Sequence, residues 1–299
     1  MKTLLYGAFG RHNFGDMLFP HIITKLLDKN NIDLDIEYCD LLSRDMTSMG
    51  GHNVKSITEF TDYDKEINII HVGGETGGCG VSQALHMLHP GPSHRLEIDK
   101  IKKLELEPVY LLPKKNYSKP NYFITNAIGG VNSLASQLLK EYDYTSFRDK
   151  ASYDNFKSHS SQPNNIYLTP DSATLTRNYF DDLIKSRNST EPVKQLRHAI
   201  GSKYIAIQLN AKCVRRYNKQ LNKVFQDIIS RTNLPIVFFC AGVATNHDSV
   251  HDYKKFFSNL PNDKVFFFES LDIWNICNVI SNASFVLGTS LHVRIISQQ

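Results

Sequence analysis

No stretch of the 299-residue sequence approaches the roughly 18 consecutive apolar residues of a membrane-spanning helix, so no transmembrane segment is expected. The N-terminal MKTLLYGAFGRHNFGD turns polar too quickly for a secretory signal peptide. Cysteine is scarce. Cys39, Cys79, Cys213, Cys240 and Cys277 are odd in number, widely spaced and without a C-x-x-C pair, which argues for a reduced, cytoplasmic protein. An excess of one charge is missing as well. A net charge of +4 without a basic tract excludes an electrostatic nucleic-acid surface but leaves room for a local anion pocket. There are no repeats of solenoid period and no low-complexity tracts. The spacing Gly7, Gly10, Gly15 does not fit G-x-G-x-x-G, and no G-x-x-x-x-G-K-[ST] occurs, so the standard nucleotide fingerprints are absent.

What is present is a soluble, globular composition, 41% hydrophobic and 21% charged, long enough for two α/β domains that each bury a core. Apolar strand-like runs at 3–9, 34–41, 67–75, 108–113, 121–130, 144–149 and 165–173 alternate with helical patterns such as 15–30 and 132–143, the latter with Asn132 as a cap. A second series follows at 204–210, 234–242, 264–270 and 284–290, separated by helical patterns at 218–232 and 270–282. The strand runs are continuous rather than alternating, which implies strands covered on both faces in mostly parallel sheets. The expected fold is α/β, with two doubly wound, Rossmann-like domains. The polar stretch 185–202, with Pro192 and little periodicity, reads as the boundary between a domain at 1–190 and a second at 200–299.

In such sheets ligands bind beyond the carboxyl ends of the strands. The residues there are consistent: GAFGRHNFGD (7–16), GGETGGCG (73–80), AIGG (127–130), PDSA (170–173), QLN (208–210), CAG (240–242) and GTSLH (288–292). Glycine at these places lets a backbone approach a ligand, or simply makes a tight strand-to-helix turn.

Several of these segments resemble those of the polysaccharide pyruvyltransferase family. GAFGRHNFGDMLFP is similar to its N-terminal N-[FYI]-G-D segment, and HVGGE to its GGG-type strand end. SFRDKAS (146–152) resembles its RD-x-x-S segment, TPDSA (169–173) its PD-x-A segment, and VLGTSLHVRIIS its C-terminal histidine segment. The matches come in family order and span residues 7–297. The resemblance implies two Rossmann-like domains facing across a cleft, GT-B-like, with the acceptor on the N-terminal and the donor on the C-terminal side. It implies a transferase moving a pyruvyl group from phosphoenolpyruvate to a sugar hydroxyl pair, as a ketal, in surface-polysaccharide biosynthesis. Two departures stand out. Ser290 occupies a place where family members often carry arginine, and the family continues past the histidine segment where this chain ends at Gln299. The second domain is therefore expected to be incomplete, and self-association into a homo-oligomer is one outcome of the apolar surface this would expose.

The implied chemistry needs cations or helix N-termini for a carboxylate and a phosphate, and a group that moves protons near neutral pH. His292, after a strand expected to be buried, is the candidate general acid/base; a capping or packed histidine is the bland alternative. Arg148, after an apolar run and before a helix, is the second catalytic candidate, against a structural pairing with Asp149 or Asp171. Asn13, Gly15 and Asp16 would line the acceptor side, though Asp16 could cap a helix beginning near Met17. Gly73, Gly74, Asp171 and Ser290 complete the substrate-binding set. Arg294 should face away from His292. No cofactor is expected beyond phosphoenolpyruvate as donor substrate, and no metal. Cys79 with His86, His89 and His94 has no recognised ligand spacing, and His247 and His251 read as an exposed helical pair. Cys79 as a nucleophile lacks an identifiable basic partner. The rivals are a GT-B nucleotide-sugar glycosyltransferase and a catalytically silent sugar- or anion-binding relative.

Overall fold

The computed structural model describes residues 1–159, 165–245, 247–257, 260–261 and 263–299. The chain divides into two compact units. Unit 1 holds Met1–Arg11 and Asp16–Ala173, and unit 2 holds His12–Gly15 and Thr174–Gln299.

Unit 1 is built on eight strands: β1 (Lys2–Tyr6), β2 (Asp35–Asp40), β3 (Arg44–Asp45), β4 (Asn53–Ser56), β5 (Ile67–His71), β6 (Pro120–Ile128), β7 (Tyr144–Phe147) and β8 (Ile166–Leu168). Their order is β3-β4-β2-β1-β5-β6-β7-β8. All neighbours are parallel except β3 and β4. The central strands read as the sequence suggests: all five residues of β5 are buried, because both faces are covered. In β6, by contrast, burial alternates, with Phe123, Thr125 and Ala127 buried and Tyr122 exposed, so one face of that strand is open. The helix Ser133–Leu138 starts where expected, the Asn132 side chain accepting from the Ala135 amide at 2.9 Å.

The apolar run 108–113 is not a strand. It is an irregular buried segment whose polar groups are met by scattered side-chain and backbone partners instead of a ladder. Tyr6 donates to the Val109 carbonyl at 2.8 Å, the Leu112 amide donates to the Tyr142 hydroxyl at 2.9 Å, and the Val109 amide donates to the Cys79 carbonyl at 2.8 Å. Hydrophobicity reported burial there, not conformation. The short β3 and β4 carried no sequence signal long enough to read.

A stack of rings packs beside the first long helix, Phe14–Lys29. His52 lies flat on Tyr38 at 3.6 Å between centroids, and His21 tilts against its other side at 4.0 Å. Burial, then the neighbouring His21, pulls the His52 pKa down to about 3. His71 on β5 is likewise pulled down to about 3 by burial, with its ring held by Thr76 at 2.9 Å. The unfolded chain protonates these rings below about pH 6.5 while the folded chain leaves them neutral until about 3. Their contribution to stability is therefore complete above that pH and is lost as pH falls between the two values. Denaturant midpoints are expected to drop steadily from pH 6.5 to pH 4, and His52→Phe, which keeps the stack, should flatten part of that slope. An unchanged slope would show that His52 is not excluded from protonation.

Unit 2 has β9 (Ile205–Gln208), β10 (Ile236–Phe239), β11 (Val265–Phe268) and β12 (Phe285–Gly288), all parallel, in the order β11-β10-β9-β12. Phe225, Phe238, Tyr253 and Phe256 pack as tilted and edge-on rings at 5.4–5.9 Å and form the centre of its core. The stretch 185–202 is helical rather than a linker, and the units divide at Ala173/Thr174. Val193 and Leu196, three apart on the helix Glu191–Ile200, are both buried, a stripe too short to stand out from the surrounding charge. The strand before His292 is also not buried. β12 is an edge strand, with Phe285 63% and Leu287 45% exposed on one face.

Candidate functional site

Three strand ends of unit 2 converge on a polar pocket of about 240 Å³. Gln208 ends β9, Ala241 and Gly242 follow β10, and Thr289 and Ser290 follow β12. His292 stands in the first turn of the helix Leu291–Ser297, whose N-cap is Ser290. Asn13, Asn210, His247 and Asp248 complete the lining, and among the described lining residues there is no lysine or arginine.

Asn13 and Gly15 reach this pocket although they come from the far end of the sequence. Residues 12–15 hang on the β10 loop: Asn13 bridges Gly242, the Phe14 amide donates to the Ala241 carbonyl at 2.6 Å, and Val243 donates to the His12 carbonyl at 3.2 Å. The His12 side chain clasps the same loops. Its Nε2 lies 2.8 Å from the Leu271 carbonyl and its Nδ1 accepts from the Val243 amide at 3.3 Å. Burial lowers the His12 pKa, which keeps the ring in the neutral form these two bonds require. Gly15 lies directly under the imidazole of His292. A Cβ added at Gly15 would fall 1.9 Å from the Nδ1 of His292, so only glycine fits. His292 itself is 8% exposed, and Arg294 points to solvent on the other side of the helix, as expected.

Asp248 is buried. Its Oδ1 accepts from the Gln208 amide at 2.7 Å and its Oδ2 from the Ala241 amide at 2.7 Å, while burial pushes its pKa up to about 7. These bonds correct the reading of His247 and His251 as a helical pair. The Asp248 and His247 backbones are tied to Gly242 and Ala244, so the helix starts only at Val250. His251 is exposed on it, and His247 is a partly buried wall of the pocket.

The remaining candidates gather in unit 1. Arg148, just beyond β7, donates to Asp171 Oδ2 at 2.8 Å and pairs with Glu75. Burial works against its charge, but the Glu75 and Asp171 carboxylates outweigh that and raise its pKa. The pairing alternative is thus what forms, with Asp171. Asp149 is engaged elsewhere, accepting from the Ser152 amide at 2.8 Å at the start of Lys150–His159. Asp16 does not cap a helix at Met17. The helix has already begun at Phe14, and Asp16 sits in its first turn, ion-paired with buried Arg11 at 2.9 Å. Gly73 and Gly74 take positive φ of 119° and 101°, a backbone that glycine adopts freely, and a Cβ on Gly74 would lie 3.2 Å from Asp16. Unit 2 therefore brings together Asn13, Gly15, Ser290 and His292, and unit 1 brings together Asp16, Gly73, Gly74, Arg148 and Asp171.

Sequence reasoning missed Asp248, His12 and Glu75 as site residues. Gln208 and Asn210 lay within a strand end that the topological rule points to, but nothing marked their roles. Burial raises the Cys79 thiol to about 11, so it carries little of the thiolate a nucleophile needs. Among the described residues no group of three or more His, Cys, Asp or Glu is placed to hold a metal ion. No described helix is long and apolar enough to cross a membrane.

Each of the two α/β units is Rossmann-like, which makes the fold of this chain GT-B-like. UDP-GlcNAc 2-epimerase from Methanocaldococcus jannaschii aligns with a TM-score of 0.56 at 14% identity, over 99% of this chain and 80% of the epimerase. UDP-N-acetylglucosamine 2-epimerase from Rickettsia bellii aligns at 0.52 and 9% identity, over 97% and 74%. At these identities the likeness is one of fold. No curated protein matches the sequence significantly. The chain belongs to the polysaccharide pyruvyl transferase family, whose model matches residues 13–297.

Proposed function

We propose that this protein transfers the pyruvyl group of phosphoenolpyruvate to two hydroxyls of a sugar, as a ketal, in cytoplasmic steps of surface-polysaccharide biosynthesis and without a further cofactor. The observation that carries this reading is the polar pocket built around His292 in a chain matched by the family from residue 13 to 297. In this scheme His292 delivers a proton to the methylene carbon of the donor. One sugar hydroxyl then adds to the central carbon, its proton returning to the imidazole, and the second displaces phosphate, which carries away the second hydroxyl's proton. Imidazoles, amides and hydroxyls of the pocket hold the donor, in the absence of lysine or arginine among its described lining residues.

Phosphate release from phosphoenolpyruvate, measured with free, nucleotide-linked and lipid-linked sugars, tests the proposal. Turnover with at least one acceptor is expected, and His292→Ala should lower it about 10²- to 10⁴-fold. Release of a nucleoside diphosphate from a nucleotide sugar would instead identify a glycosyltransferase. Undiminished turnover in His292→Ala would remove that residue from the mechanism.

A further inference from the structure

We infer that Gln208 and Asp248 form a positioning pair that sets the imidazole of His292 from both sides; for its kinetic readout this rests on the reaction proposed above. Gln208 is 3% exposed and uses both ends of its amide. Its Oε1 accepts from the Ser290 amide at 2.9 Å and the Thr289 hydroxyl at 3.3 Å, and its Nε2 donates to Asp248 Oδ1 at 2.7 Å. The orientation is forced, because a flipped amide would set N–H against N–H and carbonyl against carboxylate. Ser290 caps the helix that carries His292, so Gln208 holds that ring through its own helix.

Asp248 holds the other side. Its Oδ2 accepts from Ala241 at 2.7 Å and Gly242 at 3.4 Å, the two residues on which Phe14 and Asn13 hang. The chain Ser290–Gln208–Asp248–Ala241–Phe14 thus ends at Gly15, whose Cα lies against the His292 ring. Hydrogen bonds, the intervening backbone and the Gly15–His292 contact thus close a circuit, in which the Gln208–Asp248 bond ties the side of Ser290 to that of Ala241. The titratable neighbours of Asp248 are His247 and His292 on the pocket wall, Cys240 at the end of β10, and Tyr253 of the helix Val250–Phe257. Burial pushes the Cys240 thiol up to about 12 and Tyr253 well up as well, so both are neutral.

The test is a swap. Asp248→Asn alone sets an amide N–H₂ against either Gln208 Nε2 or the Ala241 amide, and Gln208→Glu alone faces one carboxylate with another. The double variant Q208E/D248N re-forms every bond: Glu accepts from Ser290 and from the new Asn, and the Asn oxygen accepts from Ala241. Each single variant is expected to lower kcat about 10- to 100-fold with KM changed less than threefold, and the double to recover most of it. The ring resonances of ¹³C- or ¹⁵N-labelled His292, titrated without substrate, should shift in each single variant and return in the double. This second readout does not need turnover, so failure of the pyruvyl-transfer reading would leave it intact. If a single variant does not fold, the double decides: folded with the native His292 titration supports the pair, unfolded overturns it. A double no better than the worse single variant, or singles with native His292 resonances, also overturns it.

Discussion

Gly15→Ala is expected to cut turnover about 100-fold while barely moving the melting temperature. The helix Phe14–Lys29 would accept alanine at its second position, and alanine is the better helix former. What it cannot accept is the company. The new methyl would stand 1.9, 2.2 and 2.4 Å from three ring atoms of His292, far inside any contact distance. The Gly15 backbone is fixed by the Phe14–Ala241 hydrogen bond, whereas the imidazole can rotate about its side-chain torsions, so the ring is what moves. A general acid displaced by an ångström or more loses its aim at the reacting carbon. A double-mutant cycle isolates the cause: in a His292→Ala background, Gly15→Ala should cost nothing further. Wild-type turnover in Gly15→Ala, or additive losses in the double variant, would show that Gly15 does not act through His292.

The second large effect is on stability. Arg148→Ala should lower the melting temperature by about 6 °C or more, since breaking a buried ion pair costs about 3 kcal/mol. Arg148 and Asp171 side chains are only 8% and 7% exposed, so removing the guanidinium strands the Asp171 carboxylate in a poorly solvated place. Glu75, largely in water, loses little. Removing both partners, Arg148→Ala with Asp171→Ala, should cost less than the sum of the two single changes, the sign of a pair rather than of two independent residues. The competing expectation is an anion site. If Arg148→Ala instead leaves the melting temperature unchanged and strongly raises the apparent KM for phosphoenolpyruvate, the guanidinium serves the donor.

Much of the architecture was legible because it follows from local rules. Continuous apolar runs such as INIIH and YIAIQ demand cover on both faces, and that is the condition of a parallel sheet in a doubly wound fold. Asn132 is legible as a cap because its carboxamide meets a free amide three residues on, a contact that depends on nothing distant. The segment 108–113 and the strand β12 depart from the sequence expectation for one reason. Apolar character says that a residue seeks cover, but whether it gets cover, and in what backbone shape, depends on partners such as Tyr6, Tyr142 and Cys79 that lie far along the chain.

The sequence by itself determined the α/β class, the succession of the main strands along the chain, the family, and the placing of His292 and Arg148 just beyond strand ends. The tertiary structure alone decided what those two residues meet. Arg148 finds Glu75, 73 positions away, and His292 rests on Gly15 from the other end of the chain. A hydrogen-bonded or van der Waals neighbour is set by a few ångströms in space, and strand-end chemistry brings together segments that no spacing along the sequence can pair.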